Sequence, residues 1–75
     1  MKAKLIFDLS DPVDWINFEH ANNAGNLVNA LYDFDQWLRA QGKYENKETI
    51  TIDEARDKLR EFVSDNGVNW QILEL

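Results

Sequence analysis

The 75-residue sequence has no cysteine, one proline and one histidine. Without cysteine there are no disulfides and no thiolate metal ligands, and the chain suits a reducing compartment. The lone His20 has no cysteine beside it, and the two serines have other roles: Ser10 lies near a helix cap and Ser64 in a last helical turn. A nucleophile–base pair is therefore not expected, and His20 reads as a seam or interface residue. Long apolar runs are missing too. Leu5 to Phe7 stops at Asp8, too short for a signal segment or a membrane span, so a soluble, intracellular chain is expected.

Basic charge is scarce where it would matter most for a polyanion. No Lys or Arg occurs from Leu5 to Leu38, and the net charge is −6. Direct nucleic-acid binding and attachment to an anionic membrane are disfavoured. The same stretch holds Asp8, Asp11, Asp14, Glu19 and Asp33, an acidic face that is either a solvated surface or a docking surface for a basic partner. Asp8, Asp11 and Asp14 are three apart, but no calcium-loop spacing surrounds them, and no metal site is expected. Asp33 and Asp35 fall on opposite sides of a helix and cannot act together on one substrate. No Gly-rich phosphate loop occurs. The reading is a chain with no catalytic residue, metal or cofactor, and not an enzyme.

What is abundant is apolar surface. One domain over residues 1–75 buries only about 60–65% of its unfolded surface, so a core of this size is marginal. Small chains without disulfides or metals rely on tight helical packing or on oligomers.

The pattern predicts an α+β fold, mainly helical. Residues 2–9, KAKLIFDL, alternate, with Ala3, Leu5, Phe7 and Leu9 on one face, as in a half-buried strand. Such a strand needs a partner: residues 48–52, residues 70–74, or another chain. Asp11 and Pro12 start a helix. Asn22 to Asn26 contain poor helix formers, yet Val13, His20, Leu27 and Phe34 stand seven apart, with Asn17, Ala24, Leu31 and Leu38 as a companion series. Two segments nearly in line, 12–22 and 23–41, are favoured over a reversal, with Gly42 as the stop. Thr49 to Ile52 suits either a short strand or a helix start, since Thr51 and Glu54 form a capping box flanked by Ile50 and Ala55. A second, antiparallel amphipathic helix runs to about Asn66, with Ile52, Ala55, Leu59, Phe62 and Val63 as its stripe and Glu54–Lys58 as an i,i+4 pair. Gly67 and Val68 suit a Schellman ending. The tail holds Trp70, Ile72, Leu73 and Leu75 and should pack on the body or on a partner.

The segment LVNALYDFDQWLR, Leu27 to Arg39, is the most apolar part. Leu27, Leu31, Phe34 and Leu38 are expected to close the core with Leu59, Phe62 and Val63. Ala30 and Trp37 on one flank, and Val28 and Tyr32 on the other, are left over. With Trp15 and Phe18, which point to roughly opposite flanks upstream, the residues Val28, Tyr32 and Trp37 make the candidate protein interface.

FDLSDP at 7–12, LYDFDQWLR at 31–39, KYEN at 43–46, and ARDKLREF at 55–62 followed by NGV at 66–68 carry a resemblance. Together they resemble a loose group of short, mostly uncharacterised accessory proteins of tailed bacteriophages. The resemblance implies a viral accessory product working in the cytoplasm of an infected bacterial host, and it carries over no site residue. The functional expectation is a non-catalytic protein-binding module, a homodimer that inhibits or modulates a host or defence enzyme. The alternatives are an oligomer sequestering a small nucleotide signal, and an acidic nucleic-acid mimic.

Overall fold

A computed structural model describes residues 1–75. Helix α1 spans Pro12–Lys43. Asp11 caps it: the carboxylate accepts from the Val13 and Asp14 N–H groups at 2.9 and 3.2 Å, and Pro12 takes a first-turn position where no N–H is needed. The helix passes through Asn22–Asn26 unbroken, so the two expected segments are one rod of 32 residues. Within it the Asn23 amide donates to the Glu19 carbonyl at 2.8 Å, back along the helix. The end falls one residue past Gly42, where the Tyr44 N–H donates to the Ala40 carbonyl at 2.9 Å. Asn46, at φ 53°, then reverses the chain, a left-handed conformation that asparagine tolerates.

Helix α2 spans Ile52–Asp65. Thr51 Oγ1 accepts from the Glu54 N–H at 3.0 Å. Only this half of the expected capping box forms, because the Glu54 carboxylate turns to Lys47 at 3.8 Å. Nor does Lys58 pair with Glu54; it meets Glu61 at 3.2 Å. The C-terminus is the expected Schellman motif. Gly67 takes φ 78°, its N–H reaches Ser64 at 2.9 Å, and the Val68 N–H reaches Val63 at 3.1 Å. This turn folds Val68 back onto the core. Asn69 then caps a 3₁₀ helix, Trp70–Glu74, which brings Ile72 into the same core.

No strand forms, and the fold is helical rather than α+β. Both intrachain partners proposed for residues 3–9 are occupied otherwise: Thr51 and Ile52 start α2, and Trp70–Glu74 are 3₁₀. A strand with no second strand has no ladder to join. In residues 1–10 only Phe7 is even half-buried, meeting Phe18 edge to face at 5.8 Å between ring centres.

The core is four residues: Ala30, Val63, Val68 and Ile72, with Leu27, Leu59, Phe62 and Trp70 against them. The two helices run antiparallel. Lys58 lies over the Trp37 ring, and Val63, further along α2, packs with Ala30, further back along α1. Trp37 stacks on Phe34 at 6.2 Å, so both rings belong to this helix pair. Leu31 and Leu38 were expected in the core and are exposed instead. The reason is geometric. Ala30 is small enough for α2 and the tail to approach closely, which turns α1 by roughly a quarter turn from the orientation its leucines suggest.

The result is a thinly covered rod. The accessible surface is 6140 Å², where a compact chain of 8.8 kDa exposes about 4,800 Å². The radius of gyration is 16.1 Å, against about 11 Å for a compact domain of this length. Helix α2 and the tail shield one side of α1 and leave the other open.

Candidate functional site

At 100° per residue, the flank of α1 beside its contact with α2 carries Val13, Ala24, Val28, Leu31, Tyr32 and Leu38, all exposed, with Leu38 at the edge of that contact, where it lines a cleft with the connection to α2. Val28, Leu31 and Tyr32 keep 64%, 60% and 65% of their surface. Scattered exposed apolar residues are ordinary; these six are gathered on one flank of a single helix. The heptad pattern explains the gathering. Of the two interleaved series, Leu27 and Phe34 are half-buried toward α2; the other, Ala24, Leu31 and Leu38, lies a fraction of a turn further round and is exposed. A seam with the periodicity of a helix–helix contact is thus filled on one flank only.

The five residues expected at an interface separate. Val28 and Tyr32 lie on the open face. Trp15, at 42% exposure, stands at the edge of a cleft between α1 and the tail. Phe18 is half-buried under Phe7, and Trp37 is half-buried between Phe34 and Lys58. Leu31 and Leu38 complete the face. Their signal was present in the sequence as the companion heptad series.

The acidic residues do not form one surface. Asp8, Asp11 and Asp14 gather at the N-terminus of α1, where the Asp8 N–H donates to Asp14 Oδ2 at 2.8 Å and the positive end of the helix dipole favours them. Ser10 donates to Asp8 Oδ1 through its hydroxyl at 2.6 Å and its N–H at 3.0 Å. These bonds, the hydroxyl first, hold the Asp8 carboxyl below its ordinary value. Glu19 is half-buried at the cleft, and Asp33 accepts from the Asn66 amide at 3.1 Å. No group of three or more acidic or histidine side chains is arranged to hold a metal ion, and His20 is exposed.

The cleft encloses about 320 Å³ and is lined by Trp15, Glu19, Asn23, Gln71, Ile72 and Leu75 among others. It offers no Lys or Arg to an anionic ligand. A second, of about 230 Å³ near the helix connection, has only Lys47, which already meets Glu54. No helix is long and apolar enough to cross a membrane. Compared with protein-family models, curated proteins and solved structures, the chain has no match.

Proposed function

We propose that this chain is a non-catalytic protein-binding module that works as a homodimer and modulates a bacterial host or defence enzyme during phage infection. One observation carries the binding role: roughly 1,300 Å² of surface beyond that of a compact chain, with apolar side chains in line along α1. A standard protein–protein interface takes about 800 Å² from each partner, so this excess suffices for one. The viral setting comes from the sequence resemblance, and the choice of an enzyme target is an analogy with small acidic phage proteins.

The N-terminal segment is a second contact available to a target. Residues 1–7 take part in no backbone hydrogen bond, and Leu5 and Ile6 are exposed. An extended segment with free N–H and C=O groups can add to the edge of another protein's sheet. Neither cleft supports nucleotide sequestration, since neither presents a free cation. The scattered carboxylates give no phosphate-like row for a nucleic-acid mimic.

The test is affinity capture from bacterial extract with the full chain and with Leu5→Asp/Ile6→Asp. A stoichiometric protein held by the first and lost with the second is expected. Absence of any retained protein across host strains would remove the modulator reading.

A further inference from the structure

We infer that the open face of α1 is built to pair with the same face of a second copy, antiparallel, so that Ala24 of each lies against Val28 of the other. This deepens the binding-module reading above and rests on it.

Three features single out a second copy. The first is shape. The face is small just before its midpoint, at Ala21 and Ala24, with Val13 beyond them at its N-terminal end, and bulky after the midpoint, at Val28, Leu31, Tyr32 and Leu38. Antiparallel pairing about the midpoint between Ala24 and Val28 also sets Ala21 against Leu31, large against small at the centre of the contact, with Tyr32 beside His20 at its edge. A parallel pair would set leucine on leucine at one end and leave a gap at the other. The register is also self-consistent, because Asn17 falls opposite Asp35 and Asp14 beside Leu38 and Arg39, each within the same face.

The second feature is charge. The N-terminal end of α1 carries Asp8, Asp11 and Asp14, and the C-terminal end carries Arg39 and Lys43. None of the five has an ion-pair partner within its own chain. Antiparallel copies bring the acidic end of each beside the basic end of the other and oppose the helix dipoles favourably; parallel copies would stack like on like. Asp35 likewise has no intrachain ion-pair or hydrogen-bond partner, and the Asn17 amide of the second copy is a donor for it. The third feature is area: the chain exposes about 1,300 Å² more than a compact one, a surplus shared between this face and the exposed residues 1–10, against about 800 Å² that one partner contributes to a standard interface.

The natural absence of cysteine makes cross-linking clean. Asn17→Cys and Asp35→Cys chains are prepared separately, then oxidised alone and mixed. Antiparallel pairing predicts a disulfide only in the mixture, because a disulfide needs Cα atoms within about 7 Å. Identical positions would stand roughly 27 Å apart along the helices. Cross-linking of either chain alone, or of no sample, overturns the proposal. Alongside, Val28→Glu and Leu31→Glu should each weaken self-association at least about tenfold while helix content by circular dichroism is kept. Unchanged association overturns the proposal as well. Target capture is scored separately: a strict monomer that retains a host protein leaves the binding module standing without the dimer. A cross-linked dimer that retains none leaves the dimer without a modulated target.

Discussion

Ala30 and Leu31 are adjacent in the chain and about a quarter turn apart around α1, yet Ala30 is 0% exposed and Leu31 60%. The smaller residue occupies the centre of the core, and the larger one stands on the flank beside it, uncovered. The remaining features of α1 follow from that orientation.

Substitutions at the two positions should therefore differ. Ala30→Leu forces new volume between α1, Val63 and Ile72 and should destabilise the chain by about 1–3 kcal/mol. Leu31→Asp, measured at dilution where the chain is monomeric, should stay within about 0.5 kcal/mol of the parent. Urea unfolding of both variants checks the contrast.

Gly25 lies in the middle of α1, and a Cβ added there meets nothing within 4 Å. Gly25→Ala should stabilise the helix by about 1 kcal/mol, since alanine loses less backbone entropy on folding. A raised melting midpoint with an unchanged spectrum is the expected readout.

Gly67 is the reverse case. Space is open around it, but its φ of 78° is left-handed. Gly67→Ala should cost roughly 1–2 kcal/mol through the Schellman turn that carries Val68 into the core. Denaturant titration beside Gly25→Ala would show opposite signs for the same chemical change.

Asp8 sets a pH dependence. Its two bonds from Ser10 exist in the folded chain and favour the carboxylate, so its folded pKa lies below the ordinary 3.8. The stabilisation is complete above about pH 4 and is lost as the pH falls through the folded value. Ser10→Ala should raise the Asp8 pKa toward the ordinary range and flatten this acid limb. Carboxyl-carbon NMR titration of Asp8 in both chains measures it.

The ends of the helices were legible in the sequence because capping is local. Asp11, Thr51 and Gly67 each act within a few residues, and each does what its type and position imply. The strand was not legible as a failure, because alternation in residues 2–9 is a real pattern whose outcome depends on distant segments. Those segments became a helix start and a 3₁₀ turn. The orientation of α1 was hidden for a related reason. Periodicity locates a stripe, but a wide stripe has two flanks, and size of side chain favours the leucines. Close approach favours Ala30, and that preference appears only once Val63, Val68 and Ile72 are placed around it. The exposure of Val28 and Tyr32 was therefore readable, while Leu31 and Leu38 looked like core and Trp37 looked free.

Sedimentation equilibrium of the full chain, from low to high micromolar concentration at moderate salt, asks most directly whether the open face of α1 is an interface. Twice the 8.8 kDa chain mass, falling toward the single-chain mass for Leu31→Glu, is the expected outcome. A mass of 8.8 kDa at every concentration would contradict it.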